Sequence, residues 1–146
     1  MLRLSKLADY AVVVLVRLSQ QEGVQTAPGI AAATGIPEPT VAKVLKILAS
    51  AELVTSQRGA KGGYRLNRTL AQIGVSEVIT AVDGPIALTA CVDGYTSNEC
   101  ESQSQCPMRG RWNPVNAAVQ RAVAAITLAD MQSSLPARLD QRAAAE

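Results

Sequence analysis

The spacing of apolar residues changes within residues 35–66, which read GIPEPTVAKVLKILASAELVTSQRGAKGGYRL. From Val41 to Leu48 the apolar residues recur three and four apart, which predicts a helix, and the prolines at its start fit only a first turn. Two short strands are predicted next, over 53–56 and 64–66. The glycine-rich basic segment 57–63 between them is typical of a hairpin tip. These residues therefore predict a helix followed by a two-stranded hairpin.

Two more helices are predicted upstream. The first begins after Ser5 and carries one apolar stripe with spacings of four and three. That stripe consists of Leu4, Ala8, Ala11, Leu15 and Leu18. The second runs from Pro28 to Thr34 and ends at Gly35. Three helices followed by a hairpin, with a tight Gly35-Ile36-Pro37 connection, are typical of a winged helix-turn-helix. The predicted fold class is mainly α with a small β-hairpin.

The rest of the chain divides into four predicted segments. They are a linking helix (69–82), a cysteine-rich loop (83–107), a long helix (108–131) and a disordered tail (132–146). The long helix has a narrow apolar seam formed by Val115, Val119, Ala122, Ile126 and Ala129. Such a seam at the end of a small domain favours contact with a second copy of the chain. We therefore predict a dimerisation helix here.

The composition excludes several classes of protein. Apolar residues make up 48% of the 146 residues and charged residues 18%, which excludes a disordered chain. The sequence has no histidine, which excludes serine–histidine and cysteine–histidine catalysis, and we do not expect an enzyme. The longest apolar run, Tyr10–Val16, is far shorter than the ~20 residues of a membrane span. Three cysteines crowded into sixteen residues are not a secreted disulfide framework, so we expect a cytoplasmic protein.

The charge is unevenly distributed along the chain. Residues 1–68 hold nine Lys or Arg and four Asp or Glu, for a net +5, whereas residues 69–146 hold five and eight, for −3. The candidate DNA contacts in the third helix and the hairpin are Thr40, Lys43, Lys46, Arg58, Lys61 and Arg65. A helix with Thr and Lys outward can enter a major groove, and an Arg-bearing tip can enter a minor groove. The alternatives are a solvated helix face, a plain hairpin turn, and a winged helix that binds only protein.

Cys91, Cys100 and Cys106 carry the other candidate chemistry, and Pro107 follows the last of them. Soft thiolates in a polar loop select zinc or iron–sulfur clusters. Structural zinc normally shows closely spaced cysteine pairs and a fourth Cys or His, and the sequence has neither. An iron–sulfur cluster tolerates wider spacing but still needs a fourth ligand. A zinc module and a thiol pair that oxidises to a disulfide remain alternatives.

Three groups of residues resemble the Rrf2 family of dimeric bacterial winged-helix repressors. They are Leu4-Ser5-Lys6 with Asp9-Tyr10-Ala11, Gly35-Ile36-Pro37 with Val41 and Leu45, and Arg58-Gly59 with Gly62-Gly63-Tyr64 and Leu66. Residues 37–43 and 84–88 are similar in particular to the branch that regulates the SUF iron–sulfur assembly operon. The resemblance implies a homodimer on a palindromic operator, with recognition helices in major grooves ~34 Å apart. It also implies an iron–sulfur cluster in the cysteine loop.

The resemblance bears on the missing fourth ligand as well. Family members supply a His shortly after the third cysteine, or an acidic residue near the N-terminus of the partner subunit. Arg109 stands about where that His would fall, and Asp9 matches the acidic alternative, although an exposed first-turn residue would look the same. The rival oxygen donors within the loop are Asp93, Glu99 and Glu101. The implied cluster is 4Fe–4S or 2Fe–2S.

The predicted function is that of a DNA-binding repressor that senses iron–sulfur status and controls SUF genes. Cys91, Cys100 and Cys106 are the predicted metal ligands, and Asp9 is the candidate fourth ligand. Two alternatives share the fold, namely a cluster-free thiol switch and a repressor that responds to nitric oxide or iron.

Overall fold

The computed structural model describes residues 3–92, 100 and 104–133. The helices are α1 (Lys6–Ser19), α2 (Ala27–Thr34), α3 (Glu38–Ser50), α4 (Val75–Asp83), α5 (Asn113–Ala124) and α6 (Leu128–Gln132). The strands are β1 (Val54–Gln57) and β2 (Gly63–Leu66). Three helices precede the hairpin, as predicted, and the mainly helical winged helix-turn-helix is confirmed.

Local side chains define the ends of the first two helices. Ser5 Oγ accepts the N–H of Ala8 at 3.0 Å, and Thr26 Oγ1 accepts the N–H of Gly29 at 3.2 Å. α2 ends at Gly35, whose φ of 73° is easily adopted only by glycine. The connection to α3 is short as a result, as the helix-turn-helix motif requires.

One aliphatic core joins the three helices to α4, the hairpin and α6. Its fully buried side chains include Val14, Leu15, Ile30, Val41, Leu45, Leu48, Leu53, Ile73, Val78 and Leu128. Because the chain has no Phe, Leu, Ile and Val fill this core. The opposite face of α3 takes no part in it and remains available for other contacts.

The hairpin is antiparallel and pairs Val54 with Leu66. Tyr64 also pairs with Gln25, through backbone N–H···O bonds of 2.8 and 2.9 Å, so a single β-bridge ties the segment before α2 to β2. Gly63 packs so closely there that a Cβ would lie 2.5 Å from the Gln25 carbonyl oxygen. A side chain at this position would push the hairpin away from α2.

The prediction of one helix over 108–131 is wrong, because three residues separate α5 from α6. Backbone groups at this break pair with Ile73 and with Val75, the first residue of α4. The Val75 N–H donates to the Ile126 carbonyl at 2.9 Å, and the Leu128 N–H donates to the Ile73 carbonyl at 3.0 Å. A continuous helix would have to give up these long-range hydrogen bonds.

The break also divides the predicted apolar seam. Ala129 packs against the core, whereas Val115 on α5 is 47% exposed. Thr127 starts α6 with a capping box, in which its hydroxyl accepts the Asp130 N–H and the Asp130 carboxylate accepts the Thr127 N–H. The backbone and then the hydroxyl of Thr127 lower the pKa of Asp130. The apolar spacing therefore continues across a position where the helix stops.

Two further predictions differ in detail from the structure. The linking helix predicted over 69–82 is a 3-10 turn at Leu70–Gln72 followed by α4. Residues 132 and 133 of the predicted tail close α6, and the rest of the tail lies outside the described residues. None of the helices in the described ranges has the length and hydrophobicity needed to span a membrane.

Candidate nucleic-acid interface and cysteine segment

α3 turns a polar face away from the core. Lys43 and Lys46 are exposed, whereas Val44 and Leu45 on the opposite face are fully buried. Thr40 lies at the boundary of the two faces and is half-buried. Among the described residues, no carboxylate forms an ion pair with either lysine. Both ammonium groups are therefore available to an external anion, while Thr40 is less accessible than its helical position suggested.

The hairpin carries three more exposed cations, Arg58, Lys61 and Arg65. None of them is paired with a carboxylate in the part of the chain that the structure describes. Arg58 and Lys61 lie in the tip, and Arg65 lies on β2 opposite Thr55. Together with Lys43 and Lys46 they form what we call the basic surface. An electropositive tip beside a basic helix face fits the phosphates of a duplex.

The base of the hairpin is held by Asn67, which sequence analysis did not identify. Its Nδ2 donates to the Glu52 carbonyl at 2.7 Å, and its Oδ1 accepts from the Thr55 hydroxyl. Its backbone N–H donates to the Leu53 carbonyl at 3.2 Å. Glu52 has a φ of 58°, which is uncommon for a residue with a side chain. Asn67 thus fixes the hairpin relative to the end of α3.

Arg68 differs from the other cations near the hairpin. Its guanidinium forms an ion pair with Glu77 on α4 and donates to the Gln72 carbonyl at 3.1 Å. The hydrogen bond from Arg68 to Glu77 raises the pKa of Arg68. This residue joins the end of the hairpin to α4 and does not belong to the basic surface.

The three cysteines are free thiols in different environments. Cys91 is half-buried, with its Sγ 3.3 Å from Thr89 Oγ1. Cys100 is exposed, and Cys106 is half-buried. The Cys106 carbonyl accepts the Arg109 N–H at 3.3 Å, which closes a turn. Within the described residues, no group of three or more Cys, Asp or Glu side chains is arranged to hold a metal ion. The donor types suit iron, but the described part of a single chain does not gather them at one point.

The segment before Cys91 is attached to α5 by Asn116, which is 4% exposed and was also missed by sequence analysis. Its Oδ1 accepts the Leu88 N–H at 2.9 Å, and its Nδ2 donates to the Ile86 carbonyl at 3.1 Å. Gln120, one turn further along α5, donates to the same carbonyl at 3.0 Å. No sequence pattern could reveal this contact, because the partners lie 28 and 30 residues away.

Asp9 lies in the first turn of α1 and is exposed. It lines a groove of about 410 Å³ between α1, α4 and α6, together with Lys6, Val75 and Met131. No cysteine lines this groove within the described residues. Asp9 is therefore accessible to a group from another chain, and the described residues that share its groove do not include a cysteine of its own chain. The rival donors Asp93, Glu99 and Glu101 lie outside the described residues.

Comparison with known proteins gives a match over nearly the whole chain. The model of the Rrf2 family, described as "Iron-dependent Transcriptional regulator", matches residues 4–134. A helix-turn-helix regulator of Mycobacterium tuberculosis is 31% identical over 145 residues, which cover 97% of this chain and 89% of that protein. The matched region includes both the winged helix and the cysteine segment.

Solved structures agree with this match. CymR of B. subtilis, the global cysteine regulator of that organism, has a TM-score of 0.66 and 26% identity, over 91% of this chain and 98% of that one. IscR of T. potens has a TM-score of 0.63 and 28% identity, over 92% of this chain and 89% of that one. The chain is thus similar in fold to both.

Proposed function

The chain belongs to the Rrf2 family of transcriptional regulators, and on that premise we propose that it is a homodimeric repressor that senses iron–sulfur status. The observation that carries the proposal is a set of three free thiols beside a winged helix, in a chain whose family model is described as iron-dependent. The family consists of regulators rather than enzymes, which confirms the expectation from the missing histidine.

The basic surface supplies the DNA-binding half of the proposal. Lys43 and Lys46 would meet a major groove, with Thr40 at the edge of the contact. The tip residues Arg58 and Lys61 would reach the neighbouring minor groove. Arg65 would contact the phosphates beside that groove. A DNA-binding regulator acts where the chromosome lies, so the proposed location is the cytoplasm.

α5 and the turn before it supply the proposed dimer contact. Three large apolar side chains are exposed there, Met108 at 51%, Trp112 at 40% and Val115 at 47%. Val115 lies in the first turn of α5, and Met108 and Trp112 lie in the turn before it, so this short stretch exposes three large apolar side chains within the described residues. α6 buries Leu128 and packs Ala129 against the core, while its exposed Met131 lines the groove beside Asp9. Two copies joined through α5 could place their α3 helices in successive major grooves.

The cysteines supply the sensing half. Cys91, Cys100 and Cys106 would hold the cluster, since thiolates are the ligands that iron–sulfur clusters prefer. Asp9 of the partner subunit is the proposed fourth ligand, in a 4Fe–4S or 2Fe–2S cluster. A carboxylate is a harder and weaker match for iron than a thiolate, so such a cluster would be lost readily. Bound iron would supply a group whose presence reports iron and oxygen conditions.

The proposed link between cluster and DNA is the contact between subunits. If Asp9 comes from the other chain, loss of iron removes a bond across the dimer, and the two α3 helices can shift relative to the operator spacing. The proposed targets are SUF assembly genes, supported by the resemblance of residues 37–43 and 84–88 to that branch of the family.

A second candidate is a regulator of the same fold whose thiols react directly, without a cluster. Its support is the likeness to CymR, a cysteine regulator, together with thiols that are free in the described structure. Reversible disulfide formation between two of the three cysteines would then be the signal. A repressor that responds to nitric oxide or to iron alone is a variant of the first candidate.

Purification without oxygen, followed by quantification of iron and acid-labile sulfide, tests the sensing half. Brown protein that contains both supports the cluster. Colourless protein whose thiol count changes on oxidation supports the second candidate, and protein that contains only zinc supports neither. Mobility shifts with genomic fragments at two salt concentrations test DNA binding, because phosphate contacts weaken as salt rises.

Replacing Asp9 with alanine should leave a dimer whose cluster is absent or decays faster than that of the parent. The physical reason is the loss of one oxygen ligand while all three thiols remain. Visible absorption followed during exposure to air measures the decay. The matched control is Glu22→Ala, which removes an exposed carboxylate beyond the other end of α1. If Asp9→Ala decays at the rate of the parent, Asp9 is not a ligand.

A further inference from the structure

The buried amide of Asn116 has no part in the basic surface or in the proposed ligand set. It is 4% exposed, although its neighbours Pro114 and Val115 on α5 are exposed. Burying an amide costs free energy unless its donor and acceptor are both bonded. Both are bonded here, and both partners are backbone atoms of the segment that leads to Cys91. The contact therefore depends on the path of this segment and not on its side chains.

The contact has the form of a strand pairing. A residue in a parallel sheet bonds the carbonyl before, and the N–H after, the residue opposite it. Asn116 bonds the carbonyl of Ile86 and the N–H of Leu88 in the same way, at 3.1 and 2.9 Å. Gln120 adds a second bond to the Ile86 carbonyl, at 3.0 Å. We call these three hydrogen bonds the clamp.

The clamp lies three residues before Cys91, and a second fixed point follows at once. Val92 is 4% exposed, and its N–H closes a turn on the Thr89 carbonyl at 3.4 Å. The Cys91 thiol is half-buried beside the Thr89 hydroxyl. Cys91 is thus held between the clamp and a buried valine, whereas Cys100 is exposed. Cys106 is close to α5 in sequence, because α5 begins at Asn113.

We propose that Asn116 is a positioning residue that fixes Cys91 on α5, the helix with the proposed dimer contact. Any change at Cys91, whether iron binding or disulfide formation, would then act on the subunit contact through the clamp. The positioning claim holds without iron, whereas its role in signalling rests on the proposed function. The clamp also explains why the residue that α5 buries is polar.

Alkylation of the reduced, metal-free protein by iodoacetamide tests the positioning. In the parent, Cys91 should react more slowly than Cys100 because it is less exposed. Asn116→Ala should raise the Cys91 rate roughly tenfold, since two partly buried hydrogen bonds are lost, and leave the Cys100 rate unchanged. The matched control, Gln120→Ala, removes one exposed bond to the same carbonyl and should change the Cys91 rate by about twofold at most. A folded Asn116→Ala variant with the parent rate at Cys91 would overturn the proposal.

Hydrogen exchange in the protein without any substitution gives a second test, which does not depend on whether a variant folds. The Leu88 N–H should exchange slowly, because Asn116 Oδ1 accepts it, and rapid exchange there would overturn the clamp. Both measurements use metal-free protein, so they separate the two proposals. If the purified protein lacks iron and sulfide but the Leu88 N–H is protected from exchange, only the proposed cluster is contradicted. If the purified protein contains iron but the Leu88 N–H of the metal-free form is not protected, only the positioning role of Asn116 is contradicted.

Discussion

Replacement of Cys91 by alanine should leave anaerobically purified protein with neither iron nor acid-labile sulfide, and Cys100→Ala and Cys106→Ala should do the same. A cluster with three protein thiolates and one weak oxygen ligand cannot lose a thiolate and remain bound. The expected effect is therefore complete loss and not partial weakening. Iron and sulfide per subunit, with the visible absorption spectrum, measure it directly.

The winged helix should stay folded in all three variants. The core that holds α1, α3 and the hairpin together consists of aliphatic residues outside the cysteine segment, and Val92, which is buried next to Cys91, does not belong to it. The matched control is Thr89→Ala, which removes the hydroxyl 3.3 Å from the Cys91 Sγ but keeps every thiol, and it should retain iron. Thermal unfolding followed by circular dichroism reports the fold. Unfolding of the whole domain in the cysteine variants would instead mark the segment as structural.

The pattern across the three variants also separates the cluster from a thiol switch. A cluster needs all three cysteines, whereas a disulfide needs only two. If the signal is a disulfide, one of the three single variants should keep the DNA-binding response of the parent to oxidation. If iron content survives in every variant, the cysteines are not the ligands and the sensing proposal is wrong.

Local signals were sufficient for the first half of the fold. Ser5 caps α1 and Gly35 ends α2 in the structure, and both features depend only on residues within one helical turn. The position of the hairpin followed from a change in the spacing of apolar residues and from the glycines between Gln57 and Tyr64. The exposed cations of the basic surface were also predictable from local signals, because Lys43 and Lys46 follow the helical period and Arg58 and Lys61 lie in the glycine-rich tip.

Long-range contacts account for what the sequence did not reveal. The helix break after α5 depends on backbone bonds between Ile126 and Val75, about which the seam spacing contains no information. Asn67 and Asn116 both bond backbone atoms far away along the chain, and neither stands in a recognisable motif. The ion pair between Arg68 and Glu77 is another such contact, because it joins the end of the hairpin to α4.

Arg58→Ala should weaken operator binding and reduce its dependence on salt. A dimer with 6–10 phosphate contacts loses roughly 10³–10⁵ in affinity between 50 and 200 mM salt. Each cation on a phosphate contributes about 0.9 to the slope of log K against log salt, and a dimer has one Arg58 in each hairpin, so the slope should fall by about 2. Mobility shifts over a salt series measure this slope. The fold should be unaffected, because Arg58 is exposed and unpaired within the described residues.

Two substitutions make the salt experiment specific to the hairpin tip. Arg58→Lys keeps the charge, so it should keep the slope of the parent while losing affinity for a narrow minor groove, where guanidinium groups are preferred. Arg121→Ala removes the same charge from an exposed position on α5, outside the basic surface, and should leave the slope unchanged. If Arg58→Ala binds like the parent at every salt concentration, the hairpin does not contact DNA. Recognition would then depend on Lys43 and Lys46 of α3 alone.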